Sequence, residues 1–168
     1  MTVDIRFLVL DVDGTLTDGK IYMGENGELF KAFDIKDGAG IVLLLPKAGI
    51  EPVVITARES RIVANRCREL GIKLLCQNER DKLSALRRVL EDYNSSRGTD
   101  FGLGNCAYMG DDIIDLECMK AIKDAGGVAA CPADAVDEVK AVADFVASKN
   151  GGYGAVREII RQIETSCN

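Results

Sequence analysis

Short, wholly apolar runs alternate along this chain with longer stretches in which apolar residues recur every three or four positions. The run Phe7-Leu8-Val9-Leu10 has no polar face, as a strand buried on both sides of a parallel sheet requires. Residues 20–23 and 29–33 flank Gly24-Glu25-Asn26-Gly27 and predict a β-hairpin. A helix over about 37–48 follows, with Gly49 as its C-cap. Pro52-Val53-Val54-Ile55 predicts a second buried strand ending at Thr56, then an amphipathic helix over 59–70 stopped by Gly71, then a short strand at 73–76. Residues 81–93 predict a helix, 94–104 a polar loop, and Cys106-Ala107-Tyr108-Met109 a fourth strand running into Gly110-Asp111-Asp112. A helix over 113–120, strands at 127–130 and 143–146, and a closing helix over 155–164 complete the pattern. Strands alternating with helices imply an α/β fold. The expected architecture is a doubly wound, Rossmann-like, mostly parallel sheet with helices on both faces. A small hairpin at about 20–33 is added to it, with no cap domain, in a single domain over residues 1–168.

Composition narrows the chemistry. The net charge of −6 argues against a nucleic-acid surface. No apolar run approaches the roughly 18 residues that span a bilayer, so no membrane partner is expected. The first apolar run is short and ends in aspartate, so no secretory leader is expected either. Six cysteines (Cys67, Cys76, Cys106, Cys118, Cys131 and Cys167) form no CxxC pair. They fit small core hydrophobes in a reducing, cytoplasmic compartment. The chain has no histidine, which removes Ser-His-Asp and Cys-His catalysis and His-ligated zinc together. No cysteine is followed by an arginine six positions on, so a cysteine-nucleophile phosphatase loop is absent. Carboxylates, lysines, arginines and hydroxyls remain.

Those residues cluster where chemistry is expected. Asp11 and Asp13 follow the first strand, and in open α/β sheets ligands bind beyond the carboxyl ends of strands. Two carboxylates ~4 Å apart repel by about 4 kcal/mol at an effective dielectric of 20, so the pair needs a cation or a retained proton. Thr56-Ala57-Arg58, Lys82, and Gly110-Asp111-Asp112 with Asp115 stand at later strand ends or helix starts and would converge on the same edge. Asp111 could join Asp11 around magnesium, which favours carboxylates, water and phosphate oxygens. Lys82 and Thr56 are the types that hold phosphate oxygens, one by charge and one by hydroxyl. Asp115 shares a helical face with the acidic pair and could orient it. Each piece also has an ordinary structural explanation, as a turn, a helix cap or a solvated lysine. Their ordered convergence does not.

DxDGT at Asp11–Thr15, a threonine after the second strand, a lysine, and GDDxxD at Gly110–Asp115 together resemble the haloacid dehalogenase superfamily. The resemblance implies a magnesium-dependent aspartyl-phosphate mechanism. Asp11 would be the nucleophile and Asp13 the general acid and base, with Thr56 and Lys82 clamping the phosphoryl group. Magnesium would sit on the carboxylates of Asp11 and Asp111 and the carbonyl of Asp13, with Asp112 or Asp115 behind them. No gap in the chain is long enough for a cap, which implies the capless branch, where a neighbouring subunit encloses small substrates. The hairpin, Phe33 with Asp37-Gly38-Ala39-Gly40, Arg58-Glu59-Ser60, Arg66, and Gly151-Gly152-Tyr153-Gly154-Ala155-Val156-Arg157-Glu158 resemble a narrower family more closely. Its members hydrolyse 3-deoxy-D-manno-octulosonate 8-phosphate or nine-carbon sialic-type acid phosphates. By that resemblance Ala57, Arg58, Arg66, Asp37 and Gly38 contact substrate. The hairpins would build a homotetramer, and the C-terminal tail would reach a neighbour's site. The second motif departs from the family, reading Thr-Ala-Arg where Thr-Gly-Arg is usual. Arg58 resembles the octulosonate branch, and arginine suits a sugar-acid carboxylate.

Other readings fare worse. Gly14–Lys20 has the spacing of a phosphate-binding loop, but Ile21 stands where a serine or threonine would hold magnesium. The glycines at 102–104 precede a strand instead of following one. A calcium loop starting at Asp11 has its glycine too early. A signalling receiver would carry its acceptor aspartate in mid-chain. A non-catalytic tetramerisation domain related to sugar-nucleotide synthetases would have lost the aspartates that this chain keeps.

Overall fold

In the computed structural model, which describes residues 4–166, a six-stranded sheet forms the spine. Its strands are β1 (Phe7–Leu10), β4 (Glu51–Ile55), β5 (Leu74–Cys76), β6 (Cys106–Met109), β7 (Val128–Cys131) and β8 (Phe145–Val146). The order is β5-β4-β1-β6-β7-β8 and every pairing is parallel. Strands β2 (Tyr22–Gly24) and β3 (Gly27–Phe30) form a separate antiparallel hairpin. The helices are α1 (Ile35–Leu43), α2 (Leu45–Ala48), α3 (Arg61–Glu69), α4 (Lys82–Arg97), α5 (Leu116–Asp124), α6 (Asp137–Val142) and α7 (Ala155–Ser166).

The alternation of side chains along each strand builds two cores. Leu8, Leu10, Val54, Ala107 and Met109 pack against α1, α2, α3 and α7 through Ile41, Leu45, Val63, Val156 and Ile159. Phe7, Val9, Val53, Ile55 and Tyr108 face the opposite way, onto α4, α5 and α6 through Leu86, Met119, Ile122 and Val139. The four buried cysteines Cys67, Cys106, Cys118 and Cys131 belong to these cores, and Cys76 is half-buried; all five are unpaired. Cys167 lies outside the described residues.

Departures from the expected elements have local causes. The expected helix over 37–48 starts at Ile35, because the Asp34 side chain caps it by accepting from the Lys36 and Asp37 N–H groups. It breaks at Leu44, where Pro46 opens α2 and has no N–H to continue the ladder. Ser60 and Asp81 cap α3 and α4 and move their starts to Arg61 and Lys82. Helix α4 extends to Gly98, whose left-handed φ of 66° terminates it. The expected helix over 113–120 begins as a 3₁₀ turn at Ile113–Asp115 and becomes α-helical only from Leu116. Helix α6 has no counterpart in the expected pattern; it is six residues long and has no side-chain cap. In the hairpin, Gly24 pairs with Gly27, so Glu25-Asn26 forms the turn and the strands are shorter than expected.

Chain order reverses its direction across the sheet between β1 and β6. That is the switch point, where a crevice opens beyond the strand ends.

Candidate active site

Asp11 occupies the first position past β1. Its N–H donates to the Met109 carbonyl at 3.0 Å, which carries the β1–β6 pairing one residue beyond the strands. The chain then turns on the Val12 carbonyl, which accepts from the N–H groups of Thr15, Leu16 and Thr17. The Thr17 hydroxyl closes the turn by donating to that carbonyl and accepting from the Gly14 and Gly19 N–H groups. Gly14 has φ +92°, and a Cβ there would stand 2.0 Å from the Asp111 Oδ2. The two acidic turns therefore interlock. Gly110 plays the same part opposite, since a Cβ would fall 2.3 Å from the Asp115 carboxyl carbon.

Lys82, the first residue of α4, reaches into this crevice with its side chain 1% exposed. Its Nζ lies 2.8 Å from Asp11 Oδ1 and 2.6 Å from Asp115 Oδ1. Burial works against the ammonium, but the two carboxylates outweigh it and hold its pKa above the usual value. Asp115 is fully committed: Oδ1 also accepts from the Tyr108 hydroxyl at 2.6 Å, and Oδ2 accepts from the N–H groups of Asp111 and Asp112. It braces the Gly110-Asp111-Asp112 turn from beneath.

Asp11, Asp111 and Asp115 each present a carboxylate oxygen within 4.8 Å of one another. One lysine does not neutralise three acids. Burial and the Asp115 charge push Asp11 up to about 6, against the pull of Lys82. Burial and then the Asp11, Asp115 and Asp112 charges push Asp111 up to about 8. An all-oxygen donor set with surplus negative charge fits a hard divalent cation such as magnesium. Asp112 is not brought into this group: it is exposed, and its Oδ1 accepts from the Ile113 N–H to cap the 3₁₀ turn.

Asp13 points to the other side of the turn. It forms an ion pair with Lys31, and Arg58 Nε lies 3.8 Å from its Oδ2. Thr56 is buried one strand over, at the end of β4, with its N–H donating to the Cys76 carbonyl. Ala57 is half-buried between Thr56 and the exposed Arg58. The remaining expected contacts are more dispersed. Asp37 is buried and its Oδ1 accepts from the Arg157 N–H at 2.7 Å, tying α1 to the start of α7. Gly38 is buried beneath Arg66. Arg66 stacks over the Phe33 ring at 5.6 Å and lines an open groove of about 470 Å³ with Lys31, Phe33, Ile35, Ile62, Asn65 and Glu69. Of these three, Arg66 alone faces a groove that also reaches the neighbourhood of Asp13.

The segment expected as a tail over a neighbouring subunit lies on its own chain. The Gly151 N–H donates to Asp134, the Gly152 N–H donates to the Thr15 carbonyl, and α7 packs behind α1. The small residues at 151–152 permit this close approach to the turn after β1.

Sequence reasoning passed over Lys31, Glu28 and Tyr108, and gave no role of their own to Ser60 and Thr15, which it read only as parts of motifs. Tyr108 carried a usable signal, because a hydroxyl in a wholly buried strand needs a partner. Lys31 carried a weaker one, as a single charge inside Leu29-Phe30-Lys31-Ala32-Phe33.

A Rossmann-like sheet with an Asp-x-Asp turn at its switch point, faced by a lysine and a Gly-Asp-Asp turn, is the architecture of the haloacid dehalogenase (HAD) superfamily. No family model matches the chain. Individual proteins do. The 3-deoxy-D-manno-octulosonate 8-phosphate phosphatase KdsC of Escherichia coli K12 is 43% identical over 156 residues, spanning 93% of this chain and 77% of that protein. A solved structure of the corresponding phosphatase from Moraxella catarrhalis, in complex with magnesium ion, phosphate ion and a KDO molecule, aligns with a TM-score of 0.87 and 34% identity. That alignment covers 98% of this chain and 88% of the other. A Legionella pneumophila structure described as a HAD superfamily (subfamily III A) hydrolase aligns at TM-score 0.86 and 32% identity, over 99% and 86% of the two chains. The chain belongs to the family of 3-deoxy-D-manno-octulosonate 8-phosphate phosphatases.

Proposed function

We propose that this protein hydrolyses 3-deoxy-D-manno-octulosonate 8-phosphate to the free sugar acid and inorganic phosphate, using magnesium and the carboxylates at the β1/β6 switch point. The observation that carries the reading is the group of buried Asp11, Lys82 and Asp115 with half-buried Asp111, beside the separately held Asp13, in a chain of this family. Asp11 attacks phosphorus through a carboxylate oxygen. The ester bond to the sugar oxygen breaks, and Asp13 delivers a proton to that oxygen. In the second step Asp13 takes a proton from a water whose oxygen displaces Asp11 from phosphorus, releasing phosphate and restoring both acids. Lys82 holds Asp11 in place and opposes the charge gathering on the phosphoryl oxygens, with Thr56 on the same edge. Asp11, Asp111 and the Asp13 carbonyl would hold magnesium, which supplies positive charge to the transferring group. Arg58 and Arg66, on the open side, suit the sugar-acid carboxylate.

Phosphate release should be measured from eight-carbon and nine-carbon keto-deoxy acid phosphates and hexose phosphates, with magnesium and with EDTA. The eight-carbon substrate is expected to be fastest, and EDTA to stop the reaction until magnesium is restored. Preference for the nine-carbon 9-phosphate would overturn the substrate assignment, and turnover surviving EDTA would overturn the metal assignment.

A homotetramer built through the hairpins belongs to the same proposal. Its support is an apolar surface on and beside the hairpin: Ile21, Met23, Leu29, Phe30 and Ile35 are all exposed. Light scattering showing a fully active monomer would remove it. A cytoplasmic setting is supported by the five unpaired thiols. No helix among the described residues is long and apolar enough to cross a membrane.

A further inference from the structure

The hairpin inverts the usual polarity of a surface strand. Leu29 and Phe30 are 65% and 47% exposed, whereas the Lys31 side chain beside them is 1% exposed. Lysine is almost never fully buried unless it is paired. Here its Nζ contacts the Asp13 carboxylate and stands 2.9 Å from Glu28 Oε1. Glu28 in turn accepts from the Ser60 hydroxyl, and the same Ser60 oxygen accepts from the Val63 N–H to cap α3. The Ser60 N–H is fixed by Gln77 at 2.8 Å, just past β5. A continuous polar chain thus runs from the β5 side of the sheet through the α3 cap and the hairpin to Asp13.

We propose that Lys31, held by Glu28 and Ser60, is a positioning residue that sets the orientation of the Asp13 carboxyl for proton transfer to the leaving oxygen. The inference rests on the acid and base role given to Asp13 above. Asp13 sits on a turn and needs such a hold. Unlike Asp11, it has no lysine from the main sheet's helices, and its other charged neighbour, Arg58 at 3.8 Å, is half exposed. A carboxyl free to rotate would present its oxygens to the sugar oxygen only part of the time, and positional errors near 1 Å cost on the order of 10²-fold in rate. The hairpin then serves the chemistry of its own chain as well as any contact with a neighbour.

Leaving-group dependence separates this from a purely structural role. An ester of an alkyl hydroxyl needs protonation as its bond breaks, whereas 4-nitrophenolate leaves with little help. Lys31→Met is expected to lower kcat/KM about 10- to 100-fold on 3-deoxy-D-manno-octulosonate 8-phosphate. On 4-nitrophenyl phosphate the loss should stay within about threefold, the size expected when proton transfer to the leaving group is not needed. On the sugar-acid phosphate the loss should lie in kcat with KM nearly unchanged, and Lys31→Arg should recover most of it. Glu28→Gln, which touches Lys31 but not Asp13, should show the same imbalance at smaller size, and it serves as the readout if Lys31→Met does not fold. Equal losses on both substrates, a loss confined to KM, or no loss in either variant would overturn the proposal. Asp13→Asn is the control. If it shows no leaving-group imbalance, the acid role of Asp13 fails and this inference with it. If it does while both Lys31 and Glu28 variants do not, only the positioning role fails.

Discussion

The two aspartates proposed for catalysis stand two residues apart, yet they are held in opposite ways. Asp11 belongs to the interior. Its backbone extends the β1–β6 pairing, and its carboxylate meets a lysine from a sixteen-residue helix that is also gripped by Asp115. Asp13 belongs to the rim, 20% exposed, and its buried lysine comes from the edge of a hairpin with strands of three and four residues. Isolated two-stranded hairpins are marginal in water. The proposed nucleophile is therefore built on the central six-stranded sheet and the proposed proton-transfer group on the small hairpin beside it. This suits the roles proposed for them, in which the nucleophile stays fixed while the proton-transfer group serves two different oxygens in succession.

The largest expected effect comes from the sheet side. Asp11→Asn should lower kcat for phosphate release by at least about 10⁴-fold, since it removes the attacking group. Its melting temperature should not fall, because one of three crowded acids loses its charge. A stability loss would mean that Lys82 depends on Asp11 more than on Asp115. Asp115→Asn should do the reverse and destabilise, by about 3 kcal/mol, because it weakens a buried pair. In a thermal melt that is about 6–12 °C for a domain of this size. A change under 2 °C would show that Asp115 does not brace the Gly110-Asp111-Asp112 turn.

A third buried carboxylate sharpens the contrast because it has no lysine at all. Burial pushes Asp37 up to about 6, with Asp34 adding to the rise and the N–H groups of Arg157 and Gly154 opposing it. The folded protein then holds this proton more tightly than the unfolded chain, whose value is near 3.8. Its contribution is full below about pH 4, falls as pH rises to about 6, and stays low above. Asp37→Asn should therefore gain on the parent between pH 4 and pH 7.5 by about 2–3 kcal/mol. Melts of both proteins at the two pH values measure this, and a constant difference would contradict it. The smallest effect lies at the hairpin's anchor. Ser60→Ala loses the α3 cap and should cost about 1 kcal/mol. Its melting temperature should drop by about 2–4 °C.

The main sheet, the hairpin and both aspartates were legible in the sequence, whereas the residues by which the hairpin reaches Asp13 were not. Strands β1, β6 and β7 and residues 52–55 of β4 are apolar throughout; β1 and β4 run straight into Asp11 and Thr56, and β6 runs through Gly110 into Asp111. Chain periodicity carries that information directly. Lys31 and Glu28 were hidden because the hairpin turns its apolar residues outward, so the alternation that marks an inner face points the wrong way. Pro46 lies within a helical apolar period, which concealed the α1/α2 break. Asp37, Gly38 and Arg66 were suggested by resemblance alone. In the structure the first two are buried against Arg157 and Arg66, and a buried position beside a glycine looks the same in sequence whether it serves a helix contact or a ligand.

The pairing of β1 with β6 has a consequence in time. Phe7 lies opposite Cys106 and Leu10 opposite Met109, so Asp11 and Asp111 meet only after about a hundred residues of intervening chain have been ordered. Contacts so distant along the chain form slowly. During refolding, helical signal should therefore return well before phosphate release, and a half-assembled molecule has no half-active site.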